Sequence, residues 1–143
     1  MLLVKHLLAR KGREIWSVDA GEPVLAAIQI MADRRVGALP VLRDGHLAGI
    51  VSERDYARKV ILLGRSSAET AVWQIMSSPV VTVAPDAPVR ECMEIMTERR
   101  IRHLPVVEGG GAMIGMISIG DLVRAVMEEQ EELIAQLEKF ISG

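Results

Sequence analysis

The chain repeats itself. Displaced by 65 residues, Val18 falls on Val83, Pro23 and Val24 on Pro88 and Val89, Ile30 and Met31 on Ile95 and Met96. Arg34 and Arg35 fall on Arg99 and Arg100, and Leu39-Pro40-Val41 on Leu104-Pro105-Val106. From 18 to 42 this gives 10 identities in 25 positions, where chance gives about one or two; a period this long marks a repeated supersecondary unit. One extra residue in the run Gly109-Gly110-Gly111 moves the offset to 66, after which Gly49 matches Gly115, Ser52 matches Ser118 and Asp55 matches Asp121. Any fold for this chain must therefore accommodate two copies of one small unit.

Each copy carries the same local signals. Val24, Ala27, Ile28 and Met31 recur at helical spacing with polar residues between them, as do Val89, Cys92, Met93 and Met96; this is one face of an amphipathic helix. Pro40 and Pro105 stand too far into the following segment for the helices to continue. Two short apolar runs come next, Leu39–Leu42 and Leu47–Ser52, joined by Asp44-Gly45, a strong hairpin signal. In the second copy Leu104–Val107 and Met113–Ser118 flank the glycine triplet. A helix is expected from about Glu53 and from about Ile119. The unit reads strand-helix-strand-strand-helix, an α+β arrangement. One copy leaves a sheet face uncovered, so two are expected to pack sheet to sheet with pseudo-twofold symmetry. The organisation expected is an N-terminal helix and linker at 1–14, a first repeat at 15–64, a linker at 65–79, a second repeat at 80–127 and a C-terminal helical extension at 128–143.

Bulk properties exclude several classes. Half of the 143 residues are hydrophobic, which argues against disorder. With one Phe and one Tyr, aliphatic residues and Met must fill the core. A net charge of −2 without a basic run argues against a nucleic-acid binder. The single cysteine, Cys92, forbids an internal disulfide and an all-cysteine zinc site, and fits a reducing, cytoplasmic setting. The apolar start Met1–Ala9 is short, is broken by Lys5 and His6, and is followed by Arg10, Lys11 and Arg13, the wrong flank for a signal peptide. No apolar run approaches a membrane span.

The repeat resembles the pair of cystathionine-β-synthase (CBS) domains also called the Bateman module. The resemblance rests on LPVL at 39–42 and LPVV at 104–107, on GIVSERD at 49–55 and GMISIGD at 115–121, and on MSSPVVTVAPDAPV at 76–89. It covers about residues 12–127. SERDYARKVILLGRSS, from Ser52, is similar to a subgroup of small stand-alone pairs. The resemblance implies a regulatory module binding AMP or a related adenosyl ligand such as ADP, ATP or NAD(H), acting in trans on an unidentified protein as an energy or redox sensor.

Candidate site residues follow from the residues and from the resemblance together. Ser52 with Asp55, and Ser118 with Asp121, stand at strand-to-helix junctions. Read locally, each pair is a capping box. The resemblance adds a second role, in which the acceptor-only carboxylate takes a ribose 2′,3′-diol and the serine and free N–H groups meet a phosphate. The resemblance also places adenine against Ile15, Trp16 and Val18 in the first copy and Val80, Val81 and Val83 in the second, positions that also read as plain core strand; Trp16 equally reads as a lid on the fold. Arg102 and His103 precede Leu104, where the family often carries phosphate contacts, while the first copy has uncharged Gly37 and Ala38. The two sites are therefore expected to differ. Arg54 is a further phosphate candidate or a solvent-facing charge.

Leu133, Ile134, Leu137 and Ile141 form an apolar stripe among glutamates on the last helix, which is expected to pair with a second subunit in a homodimer. A competing reading is an interaction adaptor whose nucleotide sites are vestigial. No phosphate loop, dinucleotide fingerprint, metal-ligand spacing or nucleophile–base set is present, so neither an enzyme nor a metal site is expected.

Overall fold

Where the two copies agree in sequence they agree in structure. The computed structural model describes residues 1–12 and 14–142; Arg13, counted above in the basic flank, lies outside them. In chain order the elements are α1 (Val4–Lys11), β1 (Val18–Asp19), α2 (Val24–Arg34), β2 (Ala38–Arg43), β3 (His46–Ser52), α3 (Glu53–Tyr56), α4 (Val89–Arg99), β4 (His103–Val107), β5 (Met113–Ser118) and α5 (Ile119–Ser142). A π-helical turn, Ala57–Ile61, extends α3, and a 3-10 turn spans Val72–Gln74.

Helices α2 and α4 are superimposable in design. Each starts after a proline, Pro23 or Pro88, whose extended backbone leads into the first turn. Each ends on an arginine in the left-handed region, Arg35 at φ 55° and Arg100 at φ 54°. The next residue closes the end, with Val36 N–H donating to Met31 O and Ile101 N–H to Met96 O, both at 3.1 Å. Val24, Ala27 and Met31 are buried on one helix; Val89, Cys92 and Met96 are buried on the other. The expected hairpins form. β2 and β3 pair antiparallel, as do β4 and β5, and the first turns at Asp44-Gly45 with both φ values positive, as a tight two-residue hairpin demands.

The chain divides into two compact units that cut across the repeat boundary. One is Glu14–Val81; the other joins Met1–Arg13 to Thr82–Gly143. In the first unit, Val18, Val24, Leu39, Val41, Val51, Val60, Val72 and Ile75 belong to one buried cluster. In the second, α1 contributes Val4, Leu7 and Leu8 to a buried set that includes Leu104, Val106, Ile117 and Leu122. Val4 N–H donates to Ala87 O at 2.9 Å and Lys5 N–H to Pro85 O at 2.8 Å, so α1 is tied in by backbone as well as by burial.

The first strand of each copy is weaker than expected. β1 is two residues long and runs parallel to β2, so Ile15 and Trp16 lie outside it. In the second copy no strand forms. Val83 alone bridges Val106 in parallel, and Val80 and Val81 lie in irregular chain. Each of these segments contains or abuts residues that follow proline or glycine punctuation, and too few backbone groups align for a ladder.

Candidate functional site

Two strand-to-helix corners carry the same construction. At the end of β3, Ser52 N–H donates to Asp55 Oδ2 at 3.0 Å and Asp55 N–H donates to Ser52 Oγ at 3.1 Å. At the end of β5, Ser118 N–H donates to Asp121 Oδ2 at 2.8 Å and Asp121 N–H to Ser118 Oγ at 3.1 Å. Both are complete capping boxes, so the local reading of Ser-x-x-Asp holds twice. Each carboxylate side chain is 12% exposed. Asp55 is buried and Asp121 half-buried, and the boxes use Oδ2 in each case.

Each carboxylate also meets a lysine. Lys59, one helical turn after Asp55, places Nζ 3.1 Å from Asp55 Oδ1 and donates to Ile75 O at 2.9 Å. Lys11, at the end of α1, donates from Nζ to Asp121 Oδ2 at 2.7 Å and to Met116 O at 2.8 Å. In both corners one ammonium bridges the acid and a backbone carbonyl. The spacing of Asp55 and Lys59 is a readable i,i+4 pair. The contact of Lys11 with Asp121 spans 110 residues, and no local pattern announces it. Ser77 adds a long hydrogen bond from Oγ to Asp55 Oδ1 at 3.4 Å, and Arg124 stands 3.6 Å from Asp121 Oδ1.

Electrostatics follow from these contacts. Burial raises the Asp121 carboxyl, but the hydrogen bonds from Lys11 and Ser118 outweigh it and hold the group below its ordinary range. His103, paired across the hairpin with Ser118, is pushed below its ordinary range by burial, with Lys11 and Arg102 adding to the shift against the pull of Asp121. Its neutral form is therefore favoured over the imidazolium in the unliganded corner. Arg102 is exposed beside it.

The remaining candidates take varied positions. Trp16 packs half-buried on the core of its unit, and Arg34 stacks on its ring with 3.8 Å from guanidinium carbon to ring centroid. One indole face is thus occupied by a cation. Val18 and Val83 are buried, Ile15, Val80 and Val81 half-buried, and Arg54 exposed. Cys92 is fully buried, and burial with the neighbouring Glu91 pushes its thiol up to about 11, so it is a packing residue rather than a nucleophile. Among the described residues no three metal-ligating side chains cluster, and no helix is long and apolar enough to cross a membrane.

Comparison with known proteins agrees with this geometry. The family model described as CBS domain matches twice, at residues 4–61 and 72–128. The mitochondrial CBS domain-containing protein CBSX3 of Arabidopsis thaliana is 44% identical over 137 residues, which make up 92% of this chain and 66% of that protein. The chain therefore spans just under two thirds of that relative. An inosine-5′-monophosphate dehydrogenase of Thermoplasma acidophilum is 31% identical over 78% of this chain but only 21% of its own length. Among solved structures, a signal-transduction protein with CBS domains from Burkholderia ambifaria superimposes with a TM-score of 0.86 at 48% identity, covering 90% of this chain and 96% of that one.

Proposed function

Because the chain belongs to the CBS-domain family, we propose that it is a regulatory module that binds AMP, or a related adenosyl ligand such as NAD(H), ADP or ATP, and reports energy or redox state to another protein in trans. Domains of this family are regulatory and often bind adenosyl ligands. The observation that carries the reading is the duplicated corner. In each, a preorganised carboxylate has Oδ1 outside the capping box, where it can accept from a sugar diol; Asp121 is the more open of the two, since Asp55 is buried and its Oδ1 already meets Lys59 and Ser77. At the start of α3 and α5 the N–H groups of Glu53, Asp55, Ile119 and Asp121 are already bonded, which leaves those of Arg54 and Gly120 to suit an anion nearby. Ile15 and Trp16 in one repeat, and Val80 and Val81 in the other, are half-buried and supply apolar surface for a purine, while the side chains of Val18 and Val83 are buried. Binding would favour one arrangement of the chain over others and so be felt by a partner. The single buried thiol fits a reducing, cytoplasmic setting.

Isothermal titration of ligand-stripped protein with AMP, ADP, ATP and NAD(H) tests this. At least one is expected to bind, and Asp121→Ala is expected to weaken that binding at least tenfold. Indifference to all four would leave only the adaptor reading. A second copy is the proposed occupant of the C-terminal stripe, where Leu133, Ile134, Leu137 and Ile141 are each more than half exposed. Sedimentation velocity should find a dimer that Leu137→Lys dissociates; a monomeric parent chain would refute it.

A further inference from the structure

A nucleotide held at the second corner brings a phosphate close to the Asp121 carboxylate, and like charges need a cation between them. Sequence reasoning assigned that cation to Arg102 and His103. His103 is pushed towards its neutral form by burial and by Lys11, and Arg102 is exposed. Lys11 is placed differently. Its ammonium already touches Asp121 at 2.7 Å and Met116 O at 2.8 Å, which employs two of its three protons. Its side chain is 42% exposed, so an incoming group can reach it.

The position of Lys11 is built rather than incidental. Helix α1 is fastened by Val89 N–H donating to Leu2 O at 2.9 Å and by the two backbone bonds to Ala87 and Pro85. Leu8, one turn before Lys11, lies against Gly115, where a Cβ would come within 2.6 Å of Leu8 Cδ2. A glycine at 115 therefore lets α1 approach β5 closely enough for Lys11 to reach the corner. Beside the corner runs a groove of about 230 Å³ with Arg10, Lys11 and Arg124 on its walls together with Asp121 and Glu128, the last paired with Arg10.

We infer that Lys11 is the charge-bearing ligand contact of the second corner: it holds Asp121 in the unliganded chain and turns its ammonium to the 5′-phosphate of a nucleotide whose ribose Asp121 accepts. This rests on the reading of Asp121 as the ribose acceptor. A lysine suits the exchange, since its compact charge sits on a flexible stem with freely rotating donors. The ligand class follows: a ribonucleoside bearing a 5′-phosphate is preferred over the bare nucleoside, and α1 is part of the site.

The test isolates the second corner by placing Asp55→Ala in every protein, with Asp55→Asn in its place if that background fails to fold by circular dichroism. AMP and adenosine are titrated calorimetrically against the background, Lys11→Met and Lys11→Arg. Lys11→Met keeps the apolar stem and removes the charge. It is expected to weaken AMP about tenfold, the worth of one charge-assisted hydrogen bond, and to change adenosine by less than about twofold on the same reasoning. Lys11→Arg is expected to retain most of the preference for AMP. Equal loss of both ligands, no change in AMP, or tighter AMP binding in Lys11→Met would overturn the assignment while leaving the ribose reading intact. A background chain that binds neither ligand would overturn the ribose reading and this inference with it.

Discussion

The two corners share both backbone-to-side-chain bonds of the capping box, yet they are closed from opposite directions along the chain. Gly49 of β3 is covered by Met76 and Ser77, which follow the first repeat; Gly115 of β5 is covered by Leu8, which precedes both repeats. The covering segment at Asp55 is bonded to β3 in both directions, with Ile50 N–H to Ser77 O at 3.0 Å and Ser77 N–H to Ile50 O at 2.8 Å. The covering segment at Asp121 is a helix that meets β5 through side chains, Leu8 and Lys11. Duplication fixed the serine, the acid and the glycine. It left the cover and the lysine to be supplied by whatever chain lay nearby, so one corner has a backbone cover and the other a side-chain one.

The glycines break this comparison most sharply. A methyl at 49 would sit 2.9 Å from the Ser77 carbonyl oxygen and 2.6 Å from Met76 Sδ, and a bonded backbone cannot yield. Gly49→Ala is expected to lower stability by about 2–3 kcal/mol. At 115 the three nearest atoms all belong to the Leu8 side chain, which can change rotamer, so Gly115→Ala is expected to cost about 1 kcal/mol. Urea unfolding of both variants measures the gap; equal losses would mean that the two covers are mechanically alike.

Removing the acids should give a smaller and more even effect. Asp55→Ala and Asp121→Ala each delete half of a capping box, at about 1 kcal/mol apiece. Their ligand effects are expected to separate, because Asp121 has Lys11 as an independent cation whereas Lys59 comes from the same helical segment as its acid. A pair of variants that match in melting temperature but differ in AMP affinity would support unequal sites.

The repeat, the amphipathic helices, the Asp44-Gly45 hairpin and the capping role of Ser-x-x-Asp were legible because each is written within a few residues. The left-handed ends at Arg35 and Arg100 fall where the helical pattern stops, though nothing in an arginine announces positive φ. Two features were not legible. The first strands at 15–18 and 80–83 carry the right apolar residues, but pairing depends on a distant partner, and only Val18, Asp19 and Val83 find one. The grouping of α1 with the second repeat rests on contacts more than 80 residues apart, beyond any periodic signal. The Lys11–Asp121 contact is hidden for the same reason, whereas Arg102 and His103 stand out only through the resemblance, which places phosphate contacts just before Leu104.

The lysines sharpen the comparison with a still smaller effect. Both pairs are partly solvated, so Lys59→Met and Lys11→Met should each alter stability by less than about 1 kcal/mol. They should differ in where protection is lost. Lys11 joins α1 to α5, and its loss should speed amide hydrogen exchange across α1; loss of Lys59 should be felt near Ile75, whose carbonyl it caps. Faster exchange confined to α5 in Lys11→Met would contradict a tethering role.

The smallest expected effect is a pH dependence, and it belongs to the second corner in two windows. His103 is held below its ordinary value of 6.5, so the unfolded chain takes up its proton first. Its contribution is fully present above about pH 6.5 and is lost as pH falls through the lower folded value. Asp121 is held below its ordinary value of 3.8; its contribution is present above about pH 4 and is lost as pH falls through the folded value. Melting temperature should therefore decline in two acid steps. His103→Gln should flatten the upper step and Asp121→Asn the lower one. Lys11→Met should shrink the lower step, since Lys11 lowers the Asp121 carboxyl, and should also shrink the upper one in part, because the same ammonium adds to burial in lowering His103. A single substitution in α1 that left both steps unchanged would separate Lys11 from the electrostatics of the corner.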